Sequence, residues 1–194
     1  MPSDPDPHLS EYFIRREERL SGGYLTVLRD TVRLPDAKTA TREYVQHSGA
    51  VAVVPLMDDG RVVMLRQYRH PVGQVLLEIP AGKRDPQEDV LACAIRELRE
   101  ETGYTAREWA RAGVFHNAAA YSTEGIEIWF ARGLQAGPSA LDEGEFVEVL
   151  SMDLKSLLAR AHDGQLSDMK TALAILWLDR WRSEGWTLDW HPAR

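Results

Sequence analysis

The alternation of apolar and polar positions divides the chain into a strand-rich first part and a mixed second part. Gly49 to Leu56 (GAVAVVPL) is a continuous apolar run, which predicts a strand buried on both faces. Asp58-Asp59-Gly60 predicts a hairpin turn, and Val62 to Tyr68 should pair back on that strand. Ahead of them, Tyr12 to Leu20, Tyr24 to Leu34 and Thr39 to His47 are rich in β-formers and alternate in part. Ser21-Gly22-Gly23 and Pro35-Asp36 separate these runs, so the chain should begin as an antiparallel meander. Further on, Trp109 to Phe115, Ile126 to Ala131 and Phe146 to Leu150 read as strands. Met152 to Ala161 and Ser167 to Trp181 read as helices separated by an Asp163-Gly164 turn, the second capped by Ser167 or Asp168. Trp177 and Trp181, one helical turn apart, suit packing.

One helix carries more than packing. Leu91, Ala94, Ile95 and Leu98 recur at helical spacing. Asp85 is a good N-cap, Pro86 suits the first helical position, and Glu88 completes a capping box. Gly103 closes the helix. At about 100° per residue, Glu97 and Glu101 stack on one face that borders the apolar stripe, while Glu100 points away beside Arg96. Two like charges at the edge of a buried face repel each other. A hard divalent cation removes that repulsion, because it takes carboxylate oxygens together with substrate phosphates.

Composition narrows the picture. The chain has 194 residues, 44% of them hydrophobic, which suits a soluble globular protein with one main core. Its formal charge of −7, from 23 Lys+Arg against 30 Asp+Glu, argues against a nucleic-acid or membrane-surface partner. An acidic protein that handles phosphates needs local cations. The single cysteine, Cys93, permits no intrachain disulfide and suits a reducing cytoplasm, where it reads as a small core residue. Residues 1–11 are acidic and Pro-rich, without the basic and apolar segments of a signal peptide, and are expected to be disordered. The longest apolar run is far short of a membrane span.

Spacing then changes the weight of the acidic helix. Gly82 is followed after five residues by Glu88 and, after seven more, by Arg96-Glu97-Leu98. Glu100-Glu101 and then Gly103 follow with single-residue gaps, and the bulky Tyr104 comes directly after Gly103. This arrangement resembles the Nudix box at every defined position. The strand ending Gln67-Tyr68-Arg69, followed by Leu77-Glu78-Ile79-Pro80-Ala81-Gly82, resembles the ADP-ribose and sugar-nucleotide branch of that family. The loop Ala118-Ala119-Ala120-Tyr121-Ser122-Thr123-Glu124 keeps that branch's aromatic residue and Glu but lacks its Pro-Gly, a departure that bears on substrate identity.

The resemblance implies an α/β/α sandwich around a mixed sheet, residues 48–194. An N-terminal antiparallel sheet, residues 12–47, would help form a homodimer and supply part of an adenosine site to the partner subunit. It implies Mg²⁺-dependent hydrolysis, with Mn²⁺ as a substitute, of the pyrophosphate bond of ADP-ribose to AMP and ribose 5-phosphate. Candidate metal ligands are Glu97, Glu101 and the Ala81 carbonyl, with Glu100 ranked lower on helix geometry. Arg69 matches the family's phosphate-contacting arginine, whose fork of donors suits a pyrophosphate. Gly82, Arg42, Tyr121 and Glu124 are further candidate substrate contacts. In that branch the general base comes from the loop before the last core strand; here that loop offers Glu143, favoured as base, and Glu145, a metal contact when the loop closes. Two alternatives stay open. One is a GDP-mannose or other sugar-nucleotide pyrophosphatase with the same machinery. The other is a non-catalytic nucleotide sensor, for which a broken box or an appended DNA-binding domain would be expected.

Overall fold

Apolar residues on both sides of one strand decide the layering. The structure, a computed structural model, describes residues 6–22, 25–183 and 185–193. These form two compact units: the described residues up to Ser48 together with Ala118–Glu124, and Gly49–Asn117 with the described residues from Gly125 onward.

The first unit is an antiparallel three-stranded sheet in the order β1 (Tyr12–Leu20), β2 (Thr26–Arg33), β3 (Thr39–Gln46). Gly23 and Tyr24, assigned from sequence to the first turn and second strand, lie outside the described residues, as do residues 1–5 of the expected tail. Residues 6–10 form a turn in which the Leu9 and Ser10 amides donate to the Asp6 carbonyl at 2.9 and 3.1 Å. A three-residue cluster ties the strands across one face. Arg16 donates to both oxygens of the buried Asp30 at 2.8 Å, and the Tyr44 hydroxyl donates to the same carboxylate at 2.9 Å. Segment 118–124 is stitched to the end of β3: Val45 donates to the Tyr121 carbonyl at 2.9 Å and Thr123 to the Val45 carbonyl at 3.0 Å.

The second unit contains β4 (Ala50–Leu56), β5 (Val62–Arg69), β6 (Gln74–Glu78), β7 (Ala81–Lys83), α1 (Val90–Thr102), β8 (Tyr104–His116), β9 (Gly125–Ala136), β10 (Val147–Met152), α2 (Leu154–His162), α3 (Met169–Arg182) and β11 (His191–Pro192). The strands make an eight-stranded sheet in the order β10-β5-β4-β9-β8-β11, with β6 beside β5 and β7 beside β4. β4 and β9 run parallel and the other pairs antiparallel, so the sheet is mixed. Along β4, Val51 and Val53 pack with Cys93, Ala94 and Leu98 of α1. Ala52, Val54 and Leu56 face the opposite way and pack with Leu157 of α2 and Ala174, Ile175 and Leu178 of α3. Alternation in one strand thus builds both cores of an α/β/α sandwich.

Several elements begin elsewhere than the sequence predicts. α1 starts at Val90 with Asp89 as its cap, not at Pro86 behind Asp85. The reason is local. Gln87 has φ 66°, in the left-handed region, so the chain cannot run helically through it. The Asp89 carboxylate instead accepts from the Leu91 and Ala92 amides at 3.0 and 3.1 Å. Glu88 still reaches back to the Asp85 amide at 3.0 Å, so the expected reciprocal contact closes a turn ahead of the helix. Met152 ends β10 rather than starting α2, because Asp153 supplies that helix's cap. β8 and β9 run longer than their apolar cores, to thirteen and twelve residues, as a paired hairpin.

Candidate active site

α1 ends where the chain needs a left-handed residue. Gly103 has φ 74°, and its amide donates to the Arg99 carbonyl at 2.8 Å. A Cβ there would stand 2.3 Å from the Gly137 carbonyl, so only glycine fits. Nearby, Ala140 donates to the Glu100 carbonyl at 2.9 Å. These contacts fasten the first part of the loop before β10 to the C-terminal turn of α1, ahead of the segment that carries Glu143 and Glu145.

On α1 the expected pair is formed. Glu101 is 4% exposed. It accepts from the Ala81 amide at 2.9 Å. Burial pushes its pKa up to about 8; the Ala81 amide works against this, and the charges of Glu97 and Glu145 add to it. Glu97 is also raised, first by burial, although Arg96 donates to it at 2.7 Å. Glu97 lies over Gly82 so closely that a Cβ on Gly82 would sit 1.9 Å from its Cδ. The missing side chain at Gly82 therefore creates the space that this carboxylate fills.

Arg96 is the cation that gathers the acids of this stretch. It donates to Glu88 at 2.9 and 3.0 Å, to Glu97, and to Glu100 at 3.0 Å. Glu88 falls to about 2 under that fork. Glu100 is thus turned to Arg96, whereas Glu101 meets only a backbone amide among the described residues. Cys93 is buried and its thiol is pushed up to about 12, which makes it an inert core residue.

These residues fit a divalent cation. They offer two nearby carboxylates, both disfavoured as anions first by burial and then by neighbouring acids, beside a strand whose amide already serves one of them. Among the described residues no three acidic, His or Cys side chains gather into a metal site by themselves, so a third ligand has to come from elsewhere, such as a main-chain carbonyl. Glu145 is close enough to raise both Glu97 and Glu101 through its charge. Glu143 stands two residues earlier in an exposed turn, in which Glu145 donates from its amide to the Asp142 carbonyl at 3.1 Å.

Arg69 ends β5 and aims its fork inward. Its Nε and Nη2 donate to the two oxygens of Glu78 at 2.8 and 2.9 Å. Glu78, 2% exposed, was quoted in the sequence motif without a role. The signal was there: a lone charge inside the apolar run Val75-Leu76-Leu77-Glu78-Ile79 must be paired. The other candidates lie in the first unit. Arg42 donates from Nε to Glu11 at 3.0 Å, Tyr121 is 63% exposed, and Glu124 stands 3.8 Å from His47 Nε2.

The family model described as NUDIX domain matches residues 46–173. The chain is 37% identical over 172 residues to an ADP-ribose pyrophosphatase of Bacillus subtilis (strain 168), covering 88% of this chain and 93% of that one. It is 36% identical over 170 residues to a methanol dehydrogenase activator of Bacillus methanolicus, covering 87% and 92%. A crystal structure titled as an ADP compounds hydrolase superposes with a TM-score of 0.81 over 91% of this chain and 97% of that one, at 22% identity, a likeness of fold.

Proposed function

The chain belongs to the Nudix family and is a Nudix hydrolase, and from that premise we propose that it cleaves the pyrophosphate bond of ADP-ribose, giving AMP and ribose 5-phosphate. The observation that carries this reading is the buried, under-compensated pair Glu97 and Glu101 over Gly82. The kinship to an ADP-ribose pyrophosphatase along nearly its whole length supports the substrate.

Nudix hydrolases in general depend on a divalent metal, and the working ion in this proposal is Mg²⁺, with Mn²⁺ as a substitute. Glu97, Glu101 and the Ala81 carbonyl would hold it, with Glu100 kept back by Arg96. When bound, it neutralises phosphate oxygens and lowers the pKa of a coordinated water. Arg69 presents Nη1 to a phosphate oxygen while Glu78 fixes the plane of its guanidinium. Glu143 takes the proton of the attacking water as the new oxygen–phosphorus bond forms and the bridging bond breaks. Glu145 approaches the Glu97–Glu101 pair as the loop closes. Residues 12–47 serve as the dimerisation element and supply Arg42, with Tyr121 and Glu124 as further substrate contacts. Residues 48–194 are the catalytic domain. A cytoplasmic homodimer without nucleic-acid or membrane partners fits the acidic charge, and no described helix is long and apolar enough to cross a membrane.

A second reading, another nucleoside diphosphate sugar such as GDP-mannose, is favoured by one observation: Ala118-Ala119-Ala120 replaces the Pro-Gly of related loops. A nucleotide-sugar panel with Mg²⁺, read as phosphate released after phosphatase coupling, separates the two. ADP-ribose should give the highest kcat/KM, with AMP as product. Preference for another sugar sinks the substrate assignment, and no turnover of any member sinks the hydrolase reading of the site.

A further inference from the structure

We propose that Lys170, on α3, is a positioning residue for Arg69 that acts through the buried carboxylate of Glu78. The inference rests on the reading of Arg69 as a phosphate contact and deepens it.

Glu78 carries both cations. Its Oε1 accepts from Arg69 Nε at 2.8 Å, and its Oε2 accepts from Arg69 Nη2 at 2.9 Å and from Lys170 Nζ at 2.5 Å. Lys170 shares Oε2 and is in turn paired with Asp168, so the four side chains balance in charge, and Arg69 is the member that reaches the surface, 39% exposed against 12% for Lys170. Among the described residues no partner meets Arg69 Nη1. Glu78 therefore sets the plane of the guanidinium, and Lys170 holds the Glu78 carboxylate from its other side.

Lys170 is itself held. It donates to Asp168 Oδ1 at 3.0 Å. Asp168 caps α3, accepting from the Thr171 amide at 3.0 Å and from the Thr171 hydroxyl at 2.5 Å. The same hydroxyl accepts from the Ile79 amide at 2.9 Å. The first turn of α3 thus grips the strand twice, at the Glu78 side chain and at the Ile79 backbone. That strand continues through Pro80, whose carbonyl accepts from Val53 at 2.8 Å, into Ala81 and Gly82. A helix packed on the far side of the sheet from α1 so sets the register of the phosphate-facing arginine.

The test is a double-mutant cycle in steady-state kinetics with ADP-ribose and Mg²⁺. Lys170→Met should lower kcat/KM about tenfold, mainly through KM, in the native Arg69 background. In an Arg69→Ala background the same change should cost less than about twofold. Lys170→Arg should restore most of the loss, and Lys170→Gln provides a second reading of the cycle where the Met variant folds poorly. Equal losses in both backgrounds, or no loss with native Arg69, overturn the positioning role. Normal kcat/KM for Arg69→Ala alone overturns the phosphate reading, and this inference with it.

Discussion

Two buried acids within the same unit are treated in opposite ways. Glu78, 2% exposed, has two cations on it, and although burial pushes its pKa up, Arg69 and Lys170 outweigh that and hold it below the usual glutamate range. Glu101, 4% exposed, has one backbone amide, and its pKa rises to about 8. Burial is therefore not what separates them. The difference lies in compensation: a carboxylate that the fold satisfies belongs to the architecture, and one that the fold leaves short of positive charge awaits a ligand.

The largest effect expected from this contrast falls on activity at the under-compensated pair. Glu97→Gln and Glu101→Gln should each lower kcat on the order of a thousandfold, about 4 kcal/mol, while circular dichroism and thermal midpoint show the fold intact. Near-normal turnover of either variant at saturating Mg²⁺ breaks the comparison on its functional side. At the compensated acid the order reverses. Glu78→Ala should cost about 3 kcal/mol of folding stability in urea titrations, because Arg69 and Lys170 lose their shared counter-ion. A loss well under 1 kcal/mol would mean that the network is not structural.

Glu143→Gln comes next, with kcat down about a hundredfold, a normal fold and metal binding at α1 retained. The Glu143→Gln/Glu145→Gln double variant sharpens the assignment. If only Glu145→Gln is impaired, the two roles are exchanged, and if the double variant keeps normal turnover and its low-pH limb, the base lies elsewhere.

The smallest effects are in the pH dependence of metal-free stability, where the two acids carry opposite signs. The depressed Glu78 contributes stability that is present above the ordinary glutamate range and is lost as pH falls through its folded value. The raised Glu101 contributes stability that is present below its ordinary value of 4.5 and is lost as pH rises through about 8. Glu101→Gln should therefore flatten the fall of the thermal midpoint between about pH 4.5 and about pH 8. An unchanged fall over that range would show that Glu101 is not under-compensated.

Much of this was legible in the sequence, for reasons that differ by residue. Glu97 and Glu101 could be placed together because helical spacing fixes which side chains share a face. The two cores followed from the uninterrupted apolar run of β4. The start of α1 could not be read, since Asp85 and Asp89 are equally good caps and the choice turns on the backbone angle at Gln87. The partnership of Glu78 with Lys170 was hidden for another reason: it joins residues 92 positions apart, and only the packing of α3 on the sheet brings them together. Long-range charge compensation leaves no local pattern beyond the oddity of an acid in an apolar strand.

The central claim is that Glu97 and Glu101 form a site completed by a divalent cation. Mn²⁺ binding followed by the loss of free-ion electron paramagnetic resonance signal tests it without reference to turnover. The native chain and Glu78→Gln should bind Mn²⁺ alike, while Glu97→Gln and Glu101→Gln should each weaken binding by at least about tenfold. Native affinity in both box variants would contradict the account.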